Sequence, residues 1–261
     1  MSEIITSAKN PVVKNIKKLL TSARQRRQQG LAVAEGAHLA DSLLKTDTVV
    51  RQVVYAESAL ENPEVSQLAK ALGRFDSMVL KDGLFESISS IHANVGLLVV
   101  FEPKKPEPSK QLSDDALLLE DIQDPGNLGT ILRTAAAAGI GSVYLSPDCA
   151  SVWSPKVLRA GMGAQFELAV YHDVDLYSLI TSSRVDVLAT DLSAEQTIYQ
   201  LDLHAPAAWL FGNEGQGVSA KLLEVCTKRV IIPQAGAAVE SLNVSAAVAV
   251  CLFEQQRQRQ L

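Results

Sequence analysis

Residues 231–249 read IIPQAGAAVESLNVSAAVA, and the reading of this stretch decides the fold. An apolar strand ends at Ile232, a Pro- and Gly-containing loop follows, and Glu240, Ser241 and Asn243 arrive just before a run of small residues with helical character. A strand-to-helix junction offers unpaired backbone N–H groups and side chains that can converge on a ligand. The ordinary alternative is a helix cap, with Ser241 or Asn243 satisfying the first turn of a C-terminal helix.

Two further stretches repeat the arrangement. Residues 210–219, LFGNEGQGVS, form an apolar strand that breaks into a Gly-rich loop carrying Glu214. Residues 124–133, DPGNLGTILR, form a loop entering a helix expected over 129–138, with Asn127 at its mouth and Arg133 nearly two turns in. Taken together, N-x-G-x-x-x-R, G-N-E-G-x-G and I-P followed by E-S-L-N-V-S resemble the SpoU/TrmH family of RNA ribose 2′-O-methyltransferases, in the SPOUT superfamily. The resemblance is dense over residues 115–258 and looser ahead of them.

That resemblance implies an α/β protein with a trefoil-knotted SPOUT methyltransferase domain at residues 114–261. Its cofactor is S-adenosyl-L-methionine, with the adenosine among the knot loops at Thr190, Leu210, Gly212, Ile232 and Leu242. For Gly212 a physical reason stands beside the resemblance, since a missing side chain lets backbone approach a ligand closely; Ile232 and Leu242 read equally well as core. Arg133, Asn127, Glu214, Ser241 and Asn243 carry the catalytic role. Arg133 assists loss of the ribose hydroxyl proton or orients the reacting groups, because a guanidinium is ordinarily always charged and makes a poor free base. Asn127 orients Arg133 or the RNA, Glu214 anchors Asn127, Arg133 or the loop, and Ser241 and Asn243 face the ribose and the cofactor. The family is homodimeric, with the site completed near the two-fold interface. One departure stands out: the spacing from Ile232 to Leu242 is one residue longer than the family pattern, so 236–239 are left out of the site.

Ahead of residue 102 the chain alternates strand and helix signals, as a small α/β domain does. The opening S-x-x-N-P-x-V-K at residues 7–14 and the phrase VAEGAHLADSLL resemble the RNA-binding domain that precedes many SpoU cores, which has the fold of certain ribosomal proteins. This domain is placed at 1–101. Residues 102–113, EPKKPEPSKQLS, are Pro- and Lys-rich and read as a linker. Ribosomal RNA is favoured over transfer RNA as substrate by analogy with the enzymes that carry such a front domain; a noncatalytic RNA-binding protein keeping the fold is the other alternative. A nicotinamide-binding fold is disfavoured, because no G-x-G-x-x-G follows a strand.

Charge is distributed unevenly. The net charge is −5, yet residues 1–30 hold seven basic groups against Glu3 alone, a surplus of six that leaves −11 for the remainder. Asn10-Pro11 opens a helix on which Val12, Val13, Ile16, Leu19 and Leu20 share one face and Lys14, Lys17 and Lys18 the other. Such a face is either simply solvated or an RNA-facing patch, since phosphate contacts supply most sequence-independent affinity. Arg159, on a short helix capped by Ser154, is a secondary candidate for RNA contact. Cys149, Cys226 and Cys251 match neither a metal-site nor a disulfide spacing. With no apolar run of membrane-spanning length and no signal core, the expectation is a cytoplasmic protein without membrane attachment.

Overall fold

The computed structural model describes residues 4–91, 95–107, 111–235 and 241–260. Along the first part of the chain run β1 (Ile4–Ile5), α1 (Pro11–Thr21), α2 (Ala23–Gln29), β2 (Ala32–Glu35), α3 (Ala37–Leu44), β3 (Val50–Ala56), α4 (Pro63–Leu72), β4 (Ser77–Leu80), α5 (Asp82–Ile88) and β5 (Leu97–Phe101). Then come β6 (Ala116–Leu119), α6 (Pro125–Ala137), β7 (Ser142–Leu145), α7 (Pro155–Gly161), β8 (Ala169–Tyr171), α8 (Leu176–Thr181), β9 (Asp186–Thr190), β10 (Ala207–Phe211), α9 (Ala220–Leu223), β11 (Lys228–Val230) and α10 (Val244–Arg259). They form two compact units, Met1–Lys104 with Trp153–Phe166, and Lys105–Val152 with Glu167–Leu261. The division after Lys104 falls within the stretch expected as a linker, while Trp153–Phe166 joins the first unit from inside the stretch expected as the second domain.

In the first unit, Asn10 Oδ1 accepts the Val12 N–H at 2.9 Å and Pro11 opens α1. Val13, Ile16, Leu19 and Leu20 are buried, and Lys14, Lys17 and Lys18 are exposed. The basic run does not continue as one helix. Ser22 takes an extended conformation, ending α1, and its hydroxyl accepts the Gln25 N–H to start α2. Arg26 then turns inward, is 8% exposed, and donates to the Leu19 carbonyl at 2.8 Å. One of the seven basic groups therefore caps α1 instead of facing solvent, and burial, with the Arg27 charge second, lowers its pKa.

The first sheet has the order β1-β4-β3-β5-β2, with β1, β4 and β3 parallel and β5 antiparallel to both β3 and β2. Every residue of β5, LLVVF, is buried, as a central strand covered on both faces requires. Trp153–Phe166 joins this core through Leu158 and Phe166, and the Phe101 ring meets Phe166 and Trp153 edge-on at 5.3 and 5.9 Å.

The second unit is built on a six-stranded, wholly parallel sheet of order β11-β9-β10-β6-β7-β8. β6 (ALLL) and β10 (AAWLF) sit at its centre and are buried throughout. From β6 the chain moves outward through β7 and β8, then returns to build β9, β10 and β11 on the other side. That reversal makes a switch point beside β6 and β10, where ligands enter open α/β sheets at the carboxyl ends of the strands. α10 packs on α6 and is fastened at its far end: Trp209 Nε1 donates to Gln255 Oε1 at 2.6 Å, Gln255 Nε2 to Asp115 at 3.0 Å, and Arg259 pairs with Asp115. Residues 236–240, including Glu240, lie outside the described residues.

Candidate active site

The carboxyl ends of β9, β10 and β11 and the start of α10 enclose a cleft with a cavity volume of about 260 Å³. This is close to the lower end of the size range of small-molecule sites, about 300–1,000 Å³. Thr190, Asp191 and Leu192 line it from β9, Phe211 to Val218 from β10, Val230 to Ile232 and Gln234 from β11, and Ser241, Leu242, Val244 and Ala247 from the helix. Four of the five residues expected at the cofactor, Thr190, Gly212, Ile232 and Leu242, are thus brought together, and Ser241 and Glu214 join them. Leu210 is not on the wall. It is fully buried in the core beneath, and Phe211 occupies the lining position at that strand end. β11 ends at Val230, two residues earlier than expected; Ile231 makes an isolated parallel bridge to Thr197, which leaves Ile232 half-buried at the cleft.

Gly212 is required for a reason other than the one read from the sequence. A Cβ there would sit 2.1 Å from the Gly217 carbonyl oxygen and 2.2 Å from the Val218 nitrogen, so it is the loop's own backbone that crosses close by. Gly217, at φ 71°, completes the turn. Asn213 holds the loop by accepting the Gly215 and Gln216 N–H groups at 2.9 and 3.2 Å, while its Nδ2 donates to the Asp121 carbonyl at 3.0 Å. Asp121 itself has φ 55°, uncommon for a residue with a side chain, and Ser146 fixes it by donating to its carboxylate at 2.5 Å and accepting its N–H at 2.9 Å.

Beside the cleft, three of the expected catalytic residues form one hydrogen-bonded group. α6 begins at Pro125, four residues earlier than the sequence suggested, because Asp124 is a helix cap whose Oδ1 accepts the Asn127 N–H at 2.7 Å. Asn127 therefore lies in the first turn of α6 and not in the loop before it. Its Nδ2 donates to Glu214 Oε1 at 3.1 Å, and its Oδ1 accepts from Asn243 Nδ2 at 3.0 Å. Glu214 also accepts the Asp124 and Gln123 N–H groups at 3.3 and 3.4 Å. Partial burial pushes the Glu214 carboxyl up, but the bonds from Asn127 and from the backbone outweigh it and hold the pKa below the usual value.

Arg133 is not part of this group. It is exposed, and among the described residues no hydrogen bond or ion pair engages its guanidinium. Six positions along an α-helix place it about 9 Å from Asn127 along the axis and about 120° around it. Glu214 thus anchors Asn127 and the first-motif loop, not Arg133. Ser241 lies exposed on the cleft wall. Asn243 is both the cap of α10, accepting the Ser245 N–H at 2.9 Å, and the partner of Asn127, so the two readings of that junction hold together. Ser245, whose hydroxyl donates to Asn243 Oδ1 at 2.6 Å, and Asp191 escaped the sequence reading. Arg159, in the first unit, donates to Ser90 Oγ at 2.7 Å, and Ser90 in turn donates to the buried Glu35 at 2.6 Å, so part of that guanidinium is already engaged.

The family model described as SpoU rRNA Methylase family matches residues 115–253, which cover the whole cleft and the hydrogen-bonded group. This chain belongs to the SpoU rRNA methylase family. A second model, an MRM3-like substrate binding domain, matches residues 10–98. Across nearly its full length the chain is 37% identical to an uncharacterized tRNA/rRNA methyltransferase of Synechocystis, covering 98% of this chain and 94% of that one. It is 31% identical to the 23S rRNA (guanosine(2553)-2′-O)-methyltransferase RlmP of Bacillus subtilis, over 95% and 97% of the two chains. Among solved structures, the AdoMet-bound rRNA methyltransferase of Sinorhizobium meliloti matches with a TM-score of 0.82 at 27% identity, covering 98% of each chain. In this SpoU family member the second and third motifs follow the carboxyl ends of β10 and β11. Among the described residues no group of metal-ligating side chains occurs, and no helix is long and apolar enough to cross a membrane.

Proposed function

We propose that this chain transfers a methyl group from S-adenosyl-L-methionine to a ribose 2′-hydroxyl of ribosomal RNA. The observation that carries the reading is the hydrogen-bonded group Asn127–Glu214–Asn243 standing beside a cleft at the switch point of a parallel sheet. The cleft fits the cofactor's mixed chemistry. Leu192, Ile232 and Leu242 offer apolar walls for a purine, and Gln234, Ser241 and the loop after Gly212 offer polar groups for the ribose and amino-acid portions. When bound, the cofactor supplies an electrophilic methyl group. Thr190, Gly212, Ile232 and Leu242 hold it, with Leu210 supporting them from the core, and Ser241 and Asn243 face the ribose.

Glu214 is a poor base, since its depressed pKa and three N–H donors commit its lone pairs. Its part is to hold Asn127 and the loop. Arg133 supplies fixed positive charge to the ribose oxygen or an adjacent phosphate as the proton leaves. It meets neither Asn127 nor Glu214 within its own chain, and this favours a homodimer in which Arg133 completes the partner's site. The outer face of α10 supports that arrangement, because Phe253 is 46% exposed and Ala246 lies open on the same side. Mixing Arg133→Ala and Asn127→Ala protomers is expected to restore methyl transfer that neither variant shows alone.

Residues 1–101 deliver the RNA, with Lys14, Lys17, Lys18 and the remaining donors of Arg159 facing phosphate. The site of action in this proposal is the cytoplasm. Two measurements test the reading together. Saturating S-adenosyl-L-methionine is expected to raise the melting temperature, since a ligand at a hundred times its Kd stabilises by about 2.7 kcal/mol, whereas a nicotinamide cofactor leaves it unchanged. Mapping ribose methylation of ribosomal RNA with and without the gene is expected to show one position lost; an unchanged map refutes the substrate.

A further inference from the structure

We propose that Ser245 is a positioning residue: its hydroxyl holds Asn243 in place within an amide relay, Ser245 to Asn243 to Asn127 to Glu214, that leaves two spare N–H donors beside the cleft for the substrate oxygen. This rests on the methyl-transfer reading of the site. Both ends of the relay have fixed polarity. At one end the Ser245 backbone N–H, which only donates, meets Asn243 Oδ1 at 2.9 Å, and the Ser245 hydroxyl reinforces it at 2.6 Å. At the other end Glu214 is an ionised acceptor, already facing the Asp124 and Gln123 N–H groups and so able only to accept from Asn127 at 3.1 Å.

Between those ends neither amide can reverse. Flipping Asn243 would set its NH₂ against the Ser245 N–H, and flipping Asn127 would set its carbonyl oxygen against the Glu214 carboxylate. The only arrangement that pairs every group has Asn243 Nδ2 donating to Asn127 Oδ1, as found at 3.0 Å. Each amide NH₂ has two hydrogens, and each uses one within the relay. One N–H on Asn127 and one on Asn243 therefore remain without a partner among the described residues. Asn127 is bonded to the cleft-lining Glu214, and Asn243 stands in the chain between the cleft-lining Leu242 and Val244. A pair of preset donors with no acceptor between them suits an oxygen that takes on negative charge as its proton leaves, before it gives its electron pair to the methyl group, and does not suit a proton acceptor.

The ordinary reading makes Ser245 only part of the α10 cap. The two separate cleanly, because Ser245→Ala keeps the backbone N–H that caps the helix and removes only the hydroxyl. The full-length protein, ¹⁵N-labelled at asparagine, is compared as wild type, Ser245→Ala and Ser245→Thr, following side-chain amide resonances and steady-state methyl transfer. Losing one relay bond is expected to lower kcat about fivefold to tenfold, leave KM for S-adenosyl-L-methionine unchanged, and shift the Asn127 amide signal two links away, with threonine restoring both. A lower melting temperature with the Asn127 signal and kcat unmoved overturns the relay and leaves a cap. If the wild-type protein transfers no methyl group at all, the functional reading fails, and the Asn127 signal alone decides whether the relay exists.

Discussion

Asn127 and Arg133 lie on the same helix, six residues apart, and are in opposite states. Asn127 is fixed on both sides, donating to Glu214 and accepting from Asn243, in a first turn that Asp124 caps. Arg133 is exposed and, among the described residues, engaged by nothing. The same contrast separates the cleft from α1, where Lys14, Lys17 and Lys18 stand in solvent. The groups proposed to act on the cofactor side are already bonded to one another, because their partners come from the same unit. The groups proposed to meet RNA, or a second copy of the chain, are left to acquire partners on binding. Preorganisation therefore stops partway along α6, and substitutions on either side of that point should behave differently.

The largest expected effect is at Arg133. Arg133→Ala should lower single-turnover methyl transfer on the order of a hundredfold or more, as removal of a group assisting proton loss does. Melting temperature and calorimetric affinity for S-adenosyl-L-methionine should stay at wild-type values, since the side chain supports no described contact. Arg133→Lys should recover little, because a point charge does not reproduce a planar set of donors. Wild-type turnover in the alanine variant breaks the comparison; lost cofactor affinity moves Arg133 to the cofactor side.

Much of this was legible in the sequence, and what was not has identifiable causes. The parallel strands at 116–119 and 207–211 announce themselves as unbroken apolar runs, which only a sheet covered on both faces needs. Four of the residues that the family resemblance implies at the cofactor, Thr190, Gly212, Ile232 and Leu242, line the cleft. The early start of α6 was also written in the chain, as Asp124-Pro125, but the glycines at 126 and 129 obscured it. Leu210 and Phe211 are indistinguishable to periodicity, since both faces of β10 are buried, and only the fold decides that Phe211 reaches the cleft. The role of Arg26 and the crossing at Gly212 depend on long-range or loop-closing backbone contacts that no local pattern encodes.

A smaller effect should separate the waiting region from the prebuilt one. Replacing Lys14, Lys17 and Lys18 with alanine should raise the RNA Kd several-fold at low salt and flatten the slope of log K against log salt by about 2, near the 0.7 per phosphate contact of single-stranded nucleic acid. Cofactor affinity should not change. An unaltered salt slope, measured by fluorescence anisotropy with a ribosomal RNA fragment, removes these lysines from the RNA-binding surface.

The smallest effect probes the prebuilt side through acid. Burial raises the Glu214 pKa, but the donors from Asn127 and the backbone lower it further than burial raises it, so the folded-state value lies below that of the unfolded chain. A carboxyl depressed on folding contributes stability that is fully present above its unfolded pKa, about 4.3, and that fades as pH falls through the folded value. Glu214 is largely exposed, and solvent screening limits the contribution to at most about 1 kcal/mol. Glu214→Gln should therefore be slightly less stable than wild type at pH 7, with the gap in urea midpoint closing as pH falls below about 4. No such pH-dependent gap is expected between wild type and Arg133→Ala, because the Arg133 side chain makes no hydrogen bond or ion pair among the described residues. If the Glu214→Gln gap is the same at both pH values, the carboxylate is not what holds Asn127, and the contrast between the two ends of α6 loses its electrostatic basis.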